Sequence, residues 1–315
     1  MTTTVEMPAL DGRSALGFLA SLGLLRLLTL ADVSPLSLSF SRDSASALLH
    51  SPLVSVADVA QRLEQLLTAT PENAAIIGID PCFPLPAGRG GDPMRKPREM
   101  FRDLVAEIGG IDSDAASAWI PCLFTDLAVD SQGRSDLTPF CAPSGKQNLR
   151  TFFEKPLSAT RRNPSRVGEA LNRWRREDGF TGEYFDHHVI NSAADDPGGR
   201  STEHGVPGAT WLATMAIPLL RVAGDGEHVS ATLWHRVGRR AVMLWPLWEQ
   251  PLDIAAVQTL IEHPCLVPVD SRPAVRNEAW RALGIFAVYG AERQRISGRT
   301  FAGVLAPCPV VPEPK

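Results

Sequence analysis

The run ALGFLASLGLLRLLTLA (15–31) constrains this chain more than any other segment. It is apolar almost all round, so as a helix it has no face to give to water. Such a helix belongs either in a bilayer or at the centre of a fold. The run is slightly short for a span and carries Arg26 near its end, which assigns it to a core. Asp11 is the expected N-cap, with the helix starting near Gly12 and ending near Ala31. Gly17, Ser21 and Leu24 make a small-residue face that another element can approach closely. Met1–Glu6 carries no basic residues, so no secretory signal is read and the expected compartment is the cytoplasm.

The rest of the chain mixes helix and strand signals without a βαβ rhythm, and the expected fold class is α+β with mostly antiparallel strands around the central N-terminal helix. Alternation at Leu36, Leu38 and Phe40 predicts a strand. Ser55 and Asp58 predict the start of a helix through Leu67. Residues 80–97 are rich in Pro and Gly and read as a long loop. Helices are expected at about 98–109 and 113–121. Leu123–Val129 and Ser135–Cys141 flank Asp130-Ser131-Gln132-Gly133 and read as a hairpin. A helix carrying Phe152 and Phe153 follows, with Ser144 and Gln147 as its expected cap. The next helix runs from Pro164-Ser165 to Arg176. Beyond an irregular polar stretch (179–210), a hairpin is expected around Gly238 and a helix from Asp253 to Ile261. A further helix over 274–283 and strands near Ile296 and Val304 complete the expectation. The provisional division is an N-terminal α+β region (1–143), a basic helical segment (144–178) and a C-terminal α+β region (179–315), compatible with one continuous domain. Five cysteines, with no C-x-x-C spacing, point to buried thiols rather than a zinc knuckle or a disulfide framework.

Charge is distributed unevenly. Residues 1–145 hold 10 basic and 17 acidic side chains, 146–176 hold 9 and 2, and 177–315 hold 12 and 16. The net charge of −4 therefore conceals one concentrated basic island. Within it Val167, Leu171 and Trp174 trace a buried stripe. Arg166, Arg173 and Arg176 line another face of the same expected helix, with Arg162 just ahead of it. A row of guanidiniums suits a phosphate backbone, and Lys146, Arg150, Arg162, Arg166, Arg173 and Arg176 are the candidate phosphate contacts. The alternative is a solvated face paired with the acidic residues of 177–203. Gly145-Lys146 is not a P-loop, because positions 140 and 147 are Phe and Gln. Asp186, His188, Asp195, Asp196 and His204 could assemble a metal-dependent hydrolase site, the rival from another class. On a strand, however, His187 and His188 would point to opposite sides. No G-x-S-x-G, H-E-x-x-H or G-x-G-x-x-G occurs. No catalytic residue, metal or cofactor is assigned.

Five strings together carry a family resemblance: LDGRSALGFLASLGLLRLL (10–28), TDLAVDSQGRSDLTPFCAPSGKQNLRTFFEKPL (125–157), GFTGEY (179–184), GVPGATWLA (205–213) and PLWEQPLD (246–253). They resemble the accessory proteins of type I, subtype G (formerly U), CRISPR systems described as a helicase-nuclease extension. The resemblance implies a role in crRNA-guided defence, beside the RNA-bearing surveillance complex and the helicase-nuclease it recruits. It brings no catalytic motif with it, and the chain has neither Walker motifs nor an HD pair. The expectation is a non-enzymatic component that contacts nucleic acid or a nucleic-acid-bound partner; a pure protein–protein adaptor is the third reading. No membrane partner is expected.

Overall fold

The structure, a computed structural model, describes residues 2–86, 92–141, 148–190, 203–268, 274–275, 279–294 and 303–312. Helix α1 (Ala15–Leu30) is the centre of the fold, with every residue from Ala15 to Leu28 buried. It starts three residues later than Asp11 capping would place it. Asp11 instead ends strand β1 (Thr3–Asp11), paired there with Ser46, and its carboxylate holds the backbone N–H and guanidinium of Arg13. Ser14 takes over the cap, accepting from the Gly17 N–H. No helix among the described residues is long and apolar enough to cross a membrane.

Strand β1 belongs to an antiparallel sheet with β2 (Ser37–Phe40) and β3 (Ser46–Ser51), in the order β1-β3-β2. Helix α2 (Val56–Ala69) follows, capped by Ser55 as its spacing predicts. Then come α3 (Phe101–Ile111), α4 (Ile120–Leu123), the hairpin β4 (Phe124–Val129) and β5 (Ser135–Leu137), α5 (Leu149–Arg162) and α6 (Ser165–Asn172). A short antiparallel pair, β6 (Glu177–Asp178) and β7 (His204–Gly205), precedes α7 (Pro207–Met215). The C-terminal part builds a six-stranded antiparallel sheet, order β14-β13-β11-β10-β9-β8. Its strands are β8 (Val222–Gly224), β9 (Val229–Ala231), β10 (Trp234–Val237), β11 (Arg240–Trp248), β13 (Ile285–Gln294) and β14 (Val304–Cys308). Helix α8 (Ile254–Ile261), capped by Asp253, follows β11, and β12 (Ala274–Val275) pairs in parallel with β15 (Val311–Pro312). The fold is α+β.

Two further expectations differ from this arrangement, and a third is met where the structure describes it. Asn148, with Thr151 completing a capping box, starts α5; Ser144 and Gln147 lie outside the described residues. The expected helix over 274–283 is replaced by β12 and a turn at 279–284 that delivers the chain into β13. The strand expected near Val304 is β14, whereas Ile296 lies outside the described residues.

One hydrophobic cluster draws on residues from Val5 to Leu305, with α1 and the wholly buried α7 at its heart. Small residues set the spacing of α1 from α7 and from the end of β1. A Cβ on Gly23 would lie 1.7 Å from the Leu212 carbonyl oxygen, and one on Gly17 would lie 2.2 Å from that of Asp11. The large sheet locks on through two indoles of β11. Trp245 Nε1 donates to the Gly12 carbonyl at 2.7 Å, and Trp248 Nε1 to that of Leu38 at 2.8 Å. Phe18 sits beside both indoles, with ring centroids at 5.8 and 6.3 Å.

The same substitution at two helical glycines should therefore have opposite consequences. Gly23→Ala drives a methyl into α7 backbone and should cost about 3 kcal/mol or more. Gly110→Ala in α3 meets nothing within 4 Å and should stabilise by roughly 0.5–1 kcal/mol through helix propensity. Urea denaturation of the two variants checks the pair. A Gly23→Ala protein as stable as the parent would mean that the helices do not meet there.

Candidate nucleic-acid interface

The basic island does not form one helical row. Helix α6 stops at Asn172, and Arg173 already has extended backbone (φ −158°, ψ 114°). The cause is local. The Ala170 carbonyl, which would accept the N–H of residue 174 in a continuing helix, accepts the Trp174 indole N–H at 3.1 Å instead. Arg173 to Arg176 thus form a non-helical segment leading to β6, so Arg166, Arg173 and Arg176 share no helix face.

Two of the candidate arginines are internal braces. Arg150 donates to the carbonyls of Pro81 (2.9 Å), Pro84 (3.0 Å) and Asn73 (2.7 Å), tying down the Pro-rich loop. Arg166 is buried and bridges Glu169 (2.9 Å) and Glu177 (3.0 Å). Arg176 is half-buried, bonded to Asp186 (2.6 Å) and the His204 carbonyl (2.8 Å). Arg162 and Arg173 are exposed, and so is Arg175, which was not among the candidates and stands 3.7 Å from Glu169. Lys146 lies outside the described residues.

The exposed segment borders an open groove of about 920 Å³. Ala57, Ala60, Gln61 and Glu64 of α2 form one wall, and Ser165, Gly168, Glu169 and Asn172 of α6 form another. Arg173 to Arg176 close the end. The groove exists because Ala57, Ala60 and Gly168 leave the space between the helices unfilled. A smaller cavity of about 250 Å³ beside Arg236 and Arg239 is also lined by Asp136, Asp225 and Glu227, which oppose anion binding.

The acidic and histidine cluster differs from its expected geometry. His187 and His188 lie on a 3-10 turn (His187–Val189) capped by Asp186, which brings their rings together with centroids 3.7 Å apart. Asp186 Oδ1 is 3.2 Å from His188 Nδ1 and 3.7 Å from His187 Nδ1. Burial, then the neighbouring His188, holds His187 below the usual imidazole range. The Asp186 carboxylate is already committed to Arg176 and the His188 N–H. His204 pairs instead with Asp178 at 2.7 Å. Asp195 and Asp196 lie outside the described residues.

Sequence reasoning missed Glu183. Gly182, Glu183 and Tyr184 have φ of 56°, 50° and 57°, three successive left-handed residues of which two carry side chains. Such backbone costs on the order of 1–2 kcal/mol per non-glycine residue. The Glu183 carboxylate is buried, with no hydrogen-bond partner for either oxygen. Burial pushes its pKa up to about 8, against the opposing pull of Lys155 and Arg293. Glycine in GFTGEY signals the turn, but nothing in the string signals the burial.

The chain matches no protein-family model and no curated protein.

A carboxyl with a raised folded pKa makes stability depend on pH with a definite sign. An unfolded Glu183 releases its proton near pH 4.5, while the folded one keeps it to about 8. Stability lent by the bound proton is complete below about 4.5 and is lost as pH rises to about 8. Glu183→Gln should match the parent near pH 4.5 and exceed it by on the order of a few kcal/mol at pH 8. Thermal melts of both proteins across this range test it; a difference that does not grow with pH would show that the carboxyl titrates normally.

Proposed function

We propose that the chain is a non-enzymatic component of a type I CRISPR defence system that contacts nucleic acid through Arg162, Arg173 and Arg175. The CRISPR assignment rests on the resemblance of the five sequence strings. The observation supporting nucleic-acid contact is the exposed Arg173 and Arg175 at the end of an open groove. Arg150, Arg166 and Arg176 act indirectly, by holding the loop and the non-helical segment in place.

Three phosphate contacts imply a log–log salt slope of about −2 to −3 for the binding constant. Changing Arg162, Arg173 and Arg175 together to Glu should abolish binding and leave the melting transition in place. Arg166→Glu should instead unfold or aggregate the protein, because it sets a buried carboxylate against Glu169 and Glu177. Fluorescence anisotropy over a salt series, paired with thermal melts, reads both effects. Unchanged affinity in the triple variant would exclude these arginines as the contact.

One observation favours a second reading, a metal-dependent hydrolase. The ligand atoms of Asp186, His187 and His188 lie within 4.8 Å of one another. That reading requires stoichiometric metal retained after dialysis against Zn²⁺ or Mn²⁺, and cleavage of nucleic acid lost in His187→Ala. The non-enzymatic reading expects neither, and elemental analysis with a nuclease assay decides between them.

A further inference from the structure

We infer that the groove between α2 and α6 is a seat for an unpaired nucleobase, so that the protein selects single-stranded over double-stranded nucleic acid; this rests on the nucleic-acid reading above. Trp174 is the centre of the seat. Its indole packs on the hydrophobic core on one side and lines the groove on the other. The bond from Nε1 to the Ala170 carbonyl fixes the ring. A half-buried, immobilised indole offers stacking area at little entropic cost, and base–aromatic stacking accepts any base.

The flanking charges give the seat a direction. Arg173, Arg175 and Arg176 line the same groove as Trp174, so a base on the indole has guanidiniums at the groove wall for its own phosphates. Glu169 is occupied by Arg166. Glu64, on the α2 wall, repels phosphate and leaves that end of the groove to the base. The small side chains of Ala57 and Ala60 keep the volume open, and about 920 Å³ exceeds what one nucleotide fills. A paired base cannot reach the indole without leaving its duplex, which costs a few kcal/mol. Discrimination against duplex follows from that cost.

The test uses the full chain with oligothymidylate, oligouridylate and a blunt DNA duplex as probes. Trp119, Trp211, Trp245 and Trp248 are fully buried and Trp234 nearly so, so emission changes on binding report chiefly on Trp174 and Trp280. The single strands should bind about ten-fold or more tighter than the duplex, with quenching. Trp174→Phe should keep most of the affinity and lose most of the quench, and Trp174→Ala should weaken single-strand binding about ten-fold. Ala57→Leu, an exposed change that fills the groove without touching the core, should weaken it likewise and guards against a misfolded Trp174 variant. Equal affinity for duplex and single strands, with Trp174→Ala and Ala57→Leu both silent, would overturn the base seat while leaving the arginine contact standing. Absence of binding to every probe would overturn both.

Discussion

The close approach of α1 and α7 is the constraint from which the rest of the structure follows. Neither helix has a polar face, and both must be enclosed by protein on every side. At Gly23 the helices meet backbone to backbone, closer than any side chain permits. Two sheets complete the enclosure and meet at Phe18: Phe40 of the small sheet and the Trp245 and Trp248 indoles of the large one all pack around it, and the indoles bond to the Gly12 and Leu38 carbonyls. Arg26, the one charge in α1, is retained because its guanidinium lies over the Trp119 ring at 5.0 Å and reaches the Met215 carbonyl. Burial lowers its pKa to about 10, which still leaves it charged at neutral pH.

The same packing reaches the groove. Gly208, in the first turn of α7, allows the Arg166 carbonyl to come within 2.2 Å of where a Cβ would be. Helix α6 is therefore fixed against α7, and with it the position of Arg166. Its ion pairs to Glu169 and Glu177 hold the two ends of the 169–177 stretch, and Arg176 fastens the far end to Asp186 and His204. What lies between is held at both ends, with Arg173 and Arg175 exposed and Trp174 half-buried against the core. The exposed segment gets its rigidity from arginines that are themselves largely withdrawn from solvent.

This division of labour explains what the sequence could and could not disclose. The Ser55 cap, the β4–β5 hairpin, the Asp253 helix and the buried α1 were legible because their determinants lie within a few residues of one another. The basic island was legible as charge. Which arginines face solvent was not, because their partners are distant: Arg150 is satisfied by carbonyls at 73, 81 and 84, and Arg176 by the carbonyl at 204. Helical periodicity through RWRR was intact, and the break came from a side chain competing for a backbone acceptor, the indole of Trp174 on Ala170. Asp11 illustrates the same limit. As a short acidic residue before an apolar run it reads as a cap, yet strand pairing with Ser46 claimed its backbone first.

Glu183 and Arg293 are a buried acid and a buried base in mutual influence, yet they form no salt bridge. Arg293 spends its donors elsewhere: on the carbonyls of Tyr184 (3.3 Å), Gly303 (3.1 Å), Pro139 (3.2 Å) and Phe140 (2.8 Å). Those four acceptors come from three separate parts of the chain, and one belongs to the left-handed tripeptide itself. The guanidinium thus satisfies backbone that the turn at 182–184 has removed from regular pairing, and it remains charged with a pKa lowered to about 10 by burial. The carboxyl, left without a donor, is cheaper to bury neutral than ionised, and a pKa near 8 is the consequence. The strain at Glu183 and Tyr184 persists because Arg293 holds that turn to Pro139 and Phe140, so the conformation belongs to the assembled fold rather than to the local sequence.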